Sequence, residues 1–269
     1  MASGRNKNSV NSFFAHSTHL LSQAADVLGK TDDVAKYREL FNAITAAFNG
    51  AFVAPDGRIK GNTQACSVMA IAFGLVDSEN AKRAAQYLVE DIEKRGNHLS
   101  TGFIGTKSLM HALSRIGLQD VAFRLLRTDT FPSRGFSIKH GATSIWERWD
   151  GWTPDKGFQD PGMNSFAHYS FGAVYQWMVE NIGGIRSDGP AYKHIVIEPW
   201  LDPNLNWAKT FEERGGSRLP RSDRSAAFLA RPTPRTSAAP GVSSRMAAES
   251  RSSVLLYSKF VVDARRPAT

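Results

Sequence analysis

One cysteine stands in 269 residues, and that scarcity excludes a good deal. No intramolecular disulfide can form, so nothing in the fold depends on an oxidising compartment. Cys66 lies in the apolar run Ala65-Cys-Ser-Val-Met-Ala-Ile-Ala-Phe73, which suits a buried inert thiol better than a nucleophile. No stretch is long and apolar enough to span a bilayer. The opening Met1-Ala-Ser-Gly-Arg-Asn-Lys7 lacks the hydrophobic centre of a signal peptide, so the chain as given reads as soluble and cytoplasmic, with no membrane partner. Glycine-rich phosphate-cradling spacing is missing, and no cofactor is expected. The seven histidines are scattered, and the only close pair, His16 and His19, has helical spacing but no third ligand nearby, so no metal is expected.

The net charge of +8 would suggest nucleic acid until it is mapped along the chain. From Phe211 to Thr269 there are eleven Lys and Arg against five Asp and Glu, a net of +6, which leaves only +2 for the first 210 residues. The basic character is a property of the tail. With no aromatic–basic interleaving or zinc-finger spacing, specific nucleic-acid recognition is not expected.

What is abundant is helical periodicity. Phe13, Phe14, Leu20, Leu21, Ala24, Val27 and Leu28 recur at helical spacing, and Gly29 supplies a stop. Thr31-Asp-Asp-Val34 reads as an N-cap with acidic residues in the first turn, opening a helix that ends near Asn49-Gly50. Further helices are expected near Gln64–Phe73, Ser78–Arg95, Gly105–Ile116 and Gln119–Arg127, and a last long one over Ser165–Ile182. Consecutive helices on short loops favour antiparallel hairpins, the unit of an (α/α) barrel.

Between Thr130 and Gly162 the pattern changes to Gly, Pro, Trp and Asp without helical period. A long irregular segment inside a helical domain is functional or disordered, and this one is too aromatic for disorder, so it should line a cleft. Within it, Gly141-Ala-Thr-Ser-Ile-Trp-Glu-Arg-Trp-Asp-Gly-Trp152 sets the carboxylate of Glu147 among three tryptophans. Tryptophan faces stack on the C–H faces of sugars, and a neighbouring carboxylate can take a proton from water. The blander alternative is a buried aromatic turn whose Glu147 pairs with Arg148. If the segment is extended, Glu147 and Trp149 share a face while Trp146 points away, which ranks Trp149 above Trp146 as a site residue. Asp150 and Asp160 stand beside glycine and proline, where turn-capping is their plainer role.

Three ordered motifs carry a resemblance over about Asn11 to Trp207: Ser100-Thr-Gly-Phe-Ile-Gly105, the Gly141–Gly151 segment, and Asp160-Pro-Gly-Met-Asn-Ser-Phe-Ala-His-Tyr-Ser-Phe-Gly-Ala-Val174. They resemble the C-terminal part of the catalytic domain of bacterial-type α-L-rhamnosidases, the inverting six-hairpin (α/α) glycosidases. The resemblance implies a mainly α fold: a partial six-hairpin barrel over 11–185 after a flexible 1–10, the start of a C-terminal β-domain over 186–210, and a tail over 211–269. It implies Glu147 as general base, a site with tryptophans on either side stripping some water from that carboxylate, and His168 as a contact to bound rhamnose. The implied substrate is a rhamnoside or rhamnose-containing saccharide. Relatives commonly carry Asn at the position of Ala167 and an aromatic at that of Arg134, so two features of the site differ here.

The family's general acid lies upstream in an Arg-Asp-Glu segment, and this sequence contains none; Glu39 and Glu90 lie on helix faces outside that context. The chain therefore reads as a truncated fragment holding the base side of the site, very weak or inactive alone, with apolar helix faces exposed to self-association. After Tyr192–Glu198, which alternates like a strand, the chain departs from the family. Arg214–Arg251 is rich in Arg, Ser, Ala and Pro, the composition of a disordered tail, whether from a shifted reading frame or as a genuine basic extension. Two other readings stay open: a non-catalytic carbohydrate-binding remnant, and an (α/α) glycosidase acting on another sugar.

Overall fold

The computed structural model describes residues 2–189, 194–200, 202, 204, 205, 207–214, 225–230, 246–249 and 256–263; for 2–6 and beyond 205 it is the backbone that is described. The described chain falls into two compact units, one up to Ala173 and one from Val174 onward.

The first unit is built from three helical hairpins. Helix α1 (Ala2–Val27) packs on α2 (Thr31–Phe52), α3 (Gln64–Ala72) on α4 (Ser78–Lys94), and α5 (Phe103–Arg115) on α6 (Gln119–Arg127). Residues 1–10, expected as a flexible end, enter α1 from Ala2, and the Asn8 amide donates to the carbonyl of Lys60. Gly29 ends α1 as expected: it adopts φ +67°, and the Lys30 N–H closes back on Ala25 at 2.9 Å. Thr31 is not the cap. Lys30 holds the N-cap position without a side-chain bond, and Thr31 is the first helical residue. The helix also runs through Asn49 and Gly50, because the Asn49 amide donates to Thr45 and Leu75 carbonyls within the packed structure instead of breaking the turn.

Sequence chemistry accounts for the other helices. Thr63 and Asp77 cap α3 and α4 by accepting the N–H groups of Cys66 and Asn80. Helix α3 carries no charge and is buried almost all round, whereas α4 buries only the stripe Ala84, Ala85, Leu88 and Ile92. Phe48, Leu75, Leu109, Leu113 and Phe123 are also fully buried, each worth roughly 2–3 kcal/mol of apolar burial. Helix α5 packs closely on α3 because residue 105 is glycine: a Cβ there would come within 2.9 Å of the Ala65 Cβ. A short seventh helix, α7 (Arg134–Lys139), capped by Ser133, lies inside the segment expected to be irregular. The hairpins form part of a six-hairpin arrangement, without a closed barrel among the described residues. Phe13, Phe14, Leu20 and Leu21 on α1 are exposed.

In the second unit, α8 (Val174–Trp177) continues as a π turn over Met178–Ile182, with Trp177 fully buried. Strand β3 (Ile185–Ser187) pairs antiparallel with β4 (His194–Ile197), so the strand expected after Pro190 is present in its described part, and β4 pairs with β7 (Met246–Glu249). The tight entry to β3 needs Gly184, at φ +70°, since a Cβ would lie 2.1 Å from the Pro199 nitrogen. A second sheet has β5 (Trp207–Arg214) between β6 (Ser225–Ala230) and β8 (Leu256–Asp263). Where the tail is described it is this strand backbone, while most of Arg214–Arg251 lies outside the described residues. A two-residue ladder in the first unit, β1 (Trp152–Thr153) with β2 (Gly157–Phe158), completes the strands.

Among the described residues no helix is long and apolar enough to cross a membrane.

Candidate functional site

The long helix expected over Ser165–Ile182 starts later, and the reason lies in the tryptophan-rich segment. The Glu147 N–H donates to the Ser165 carbonyl at 2.9 Å, and the His168 N–H donates to the Ile145 carbonyl at 2.8 Å. The Ser144 hydroxyl donates to the Phe166 carbonyl in the same stretch. These bonds tie 165–168 to 144–147 in an irregular, non-helical course with bends at Phe166 and Ala167, and helical turns begin only at Tyr169, first as 3₁₀.

Glu147 is fixed by the same pairing. Its Oε2 accepts the Ser165 N–H at 2.9 Å, and Oε1 has no protein partner among the described residues. The alternative contact with Arg148 does not form: Arg148 donates through Nε and Nη2 to both oxygens of Asp150, at 3.0 and 2.9 Å. That fork holds the Asp150 carboxyl below its ordinary range and raises the Arg148 guanidinium. Glu147 is left as a half-buried carboxylate with no cation paired to it among the described residues. Asp160 caps a turn, accepting the Gly162 N–H at 2.9 Å.

Glu147 and Trp149 both line a cavity of about 700 Å³, with Ser100, Thr101, Gly102 and Phe103 contributing another wall. That volume suits a small ligand. The Trp149 indole donates to the Thr101 carbonyl at 2.8 Å, and its ring stacks on Phe171 at 3.9 Å between centroids. One face of Trp149 is thus occupied by protein. Trp146 does not line the cavity; its ring stands edge-on to Phe166 at 5.3 Å. His168 is also outside the lining, with its ring 5.7 Å from that of Phe103, which does line it. The His168 Nδ1 is buried with no hydrogen-bond partner among the described residues.

Arg134 occupies the place behind Trp149. Its Nε donates to the Phe171 carbonyl at 3.0 Å, and its guanidinium lies 5.6 Å from the Trp149 ring centre. Burial pushes the guanidinium down to about 10, and Nη2 has no partner among the described residues. Sequence reasoning flagged Arg134 only as a missing aromatic; its packing against a tryptophan fifteen residues away had no local signal. Thr101 was likewise not singled out, though it sits within a motif that was.

Among the described residues no group of three or more His, Cys, Asp or Glu side chains could hold a metal ion. His16 instead stacks on Phe73 at 4.1 Å, and burial lowers its proton affinity; His19 leans on Phe41.

Residues 2–182 match the family model described as the bacterial alpha-L-rhamnosidase 6 hairpin glycosidase domain. An alpha-L-rhamnosidase of Streptomyces avermitilis is 48% identical over 187 residues, which cover 70% of this chain and 18% of that protein. An alpha-L-rhamnosidase of Formosa agariphila is 42% identical over 189 residues, covering 70% and 20%. Among solved structures, the Streptomyces avermitilis alpha-L-rhamnosidase complexed with L-rhamnose superposes with a TM-score of 0.67 at 35% identity, over 82% of this chain and 26% of that one. The chain spans about a fifth of the length of the curated relatives it matches.

Proposed function

Because the chain belongs to the bacterial α-L-rhamnosidase six-hairpin glycosidase family, we propose that it serves the hydrolysis of terminal non-reducing α-L-rhamnose from glycosides, with inversion and without a cofactor. In this reading a rhamnosyl ring occupies the cavity beside Glu147 and Trp149. Glu147 takes a proton from a water molecule, whose oxygen bonds to the anomeric carbon as the glycosidic bond breaks on the opposite face. A carboxylic acid on that face, which the family carries in its Arg-Asp-Glu segment and these 269 residues do not include, would have to give its proton to the departing oxygen. The observation that carries the reading is the state of Glu147: it borders the cavity and, among the described residues, forms no close ion pair and keeps one oxygen free of protein. Trp149 is the proposal's substrate contact within the cavity, His168 its contact at the edge beside Phe103, and Trp146 supports the segment from outside the lining.

A second reading keeps the cavity and Trp149 in its wall but not the chemistry: the chain on its own holds rhamnose without cleaving it. One proton-transfer group contributes about 10²–10⁴ in rate, so the chain alone is expected to be slow or inactive. Hydrolysis of p-nitrophenyl α-L-rhamnopyranoside by the purified chain, beside calorimetric titration with L-rhamnose, separates the readings. Binding without hydrolysis supports the second. Preference for a glucoside or uronide over a rhamnoside points to another sugar, and folded chain that binds no rhamnose overturns both.

The exposed Phe13, Phe14, Leu20 and Leu21 of α1 belong to the same proposal as a self-associating face. Light scattering across a concentration series tests it; a monomer at all concentrations rejects it.

A further inference from the structure

Gln64, the first residue of α3, is 2% exposed and belongs to no part of the cavity wall. An amide at that depth is destabilising unless its donors and acceptor are met. Three partners meet them. Nε2 donates to Asp91 Oδ2 at 2.9 Å and to the His98 carbonyl at 3.3 Å, and Oε1 accepts the Ser100 N–H at 2.7 Å. Every partner leads to the cavity of Glu147. His98 and Ser100 stand in its wall, and Asp91 receives the Nε of Arg95, which also lines it, at 2.8 Å. Burial alone would raise the Asp91 carboxyl, but the hydrogen bonds from Arg95 and Gln64 outweigh it and keep the group ionised as their acceptor. The next residue, Thr101, supplies the carbonyl that receives the Trp149 indole. The close contact of α3 with α5 at Ala65 and Gly105 brings Gln64 within reach of this loop.

We infer that Gln64 is a positioning residue of the sugar cavity: by holding His98, Ser100 and Asp91 together, it sets the Thr101 carbonyl and so the seat of Trp149, two residues from Glu147. The inference rests on the proposed reading of that cavity as the rhamnose site.

Two variants of the full chain test it. Gln64→Leu removes all three bonds at similar volume. Gln64→Glu keeps an acceptor for Ser100, loses the donors, and sets a second carboxylate against Asp91. The readouts are the near-UV dichroism of Trp149, defined by difference from Trp149→Phe, and the dissociation constant of L-rhamnose, with far-UV dichroism as the check on folding. At pH 7.5 folded Gln64→Glu is expected to lose the Trp149 signal and to bind rhamnose roughly tenfold more weakly. A carboxyl buried beside another titrates above the usual range, so both should return towards pH 5. Gln64→Leu should lose both at either pH. Asp91, Glu90, Lys94, Arg95, Arg58 and His98 surround the position in every variant, so the wild type controls for their own titration.

A folded Gln64→Glu with wild-type signal and affinity at pH 7.5, or a loss that acid does not reverse, overturns the inference. If Gln64→Leu does not fold, Gln64→Glu carries the test. If the wild type binds no rhamnose, the reading of the cavity fails, and the Trp149 signal still decides the role of Gln64.

Discussion

Ser165 holds Glu147 twice, accepting its N–H at 2.9 Å and donating its own N–H to the carboxylate at 2.9 Å. The amide oxygen of glutamine can accept the same bond, but it cannot take a proton from water. Glu147→Gln should therefore fold and bind L-rhamnose as the wild type does. Whatever hydrolysis of p-nitrophenyl α-L-rhamnopyranoside the chain shows should fall at least about a hundredfold. An unchanged rate would remove Glu147 from the chemistry.

The two neighbouring tryptophans should behave differently. Trp149 lines the cavity, so Trp149→Ala is predicted to weaken rhamnose binding roughly tenfold, near the upper end of what one aromatic contact supplies. Trp146 packs on Phe166 outside the lining, so Trp146→Ala should cost about 1–2 kcal/mol of stability and leave the affinity within about twofold. Titration calorimetry and urea denaturation on both variants check this, and equal losses of affinity would reject the distinction.

Arg134→Met should stabilise the chain. The folded guanidinium is lowered to about 10 by burial, so the unfolded state holds that proton more tightly. The cost is therefore present in full below pH 10 and is relieved as the pH rises through that value. Replacing a half-buried cation that meets no carboxylate among the described residues by an apolar side chain gains about 1 kcal/mol, set against one hydrogen bond to Phe171. Urea denaturation at pH 7 is the measurement. A loss instead would show that the Phe171 bond and the contact with Trp149 outweigh burial.

Acid should loosen the turn at Arg148–Asp150. The hydrogen bonds from Arg148 depress the Asp150 carboxyl. Their contribution is present above the unfolded carboxyl value of about 3.9 and is lost as the pH falls through the lower folded value. Both side chains are solvent-accessible, so the pair is screened and its contribution is small. Tryptophan emission should change below about pH 4 in the wild type and be already altered at pH 7 in Asp150→Asn. Far-UV dichroism separates this from global unfolding.

Legibility followed the range of the interactions. Helices α3 to α6 could be read because each carries its own pattern, with Thr63 and Asp77 as caps and a buried stripe such as Ala84, Leu88 and Ile92. Six-residue α7, capped by Ser133, is too short to show a period. Residues 165–168 have a helix-like pattern, yet they are held out of a helix by Ile145 and Glu147, some twenty residues away. Of the residues named for the site, Glu147 and Trp149 share the cavity, while Trp146 and His168 stand outside its lining. The burial of Arg134 behind Trp149 and the reach of Gln64 to Ser100 depend on packing between helices, which local sequence does not encode.

Cys66, two residues along α3 from Gln64, is buried at 2% exposure, with the Thr63 hydroxyl 3.1 Å from its sulfur. As the chain's single thiol, it makes covalent labelling a residue-specific record of how often α3 is uncovered. A thiol reagent in excess would react at a rate set by that opening, in native buffer and without denaturant. Slower labelling in the presence of rhamnose would then measure how far an occupied cavity restrains the helix behind it.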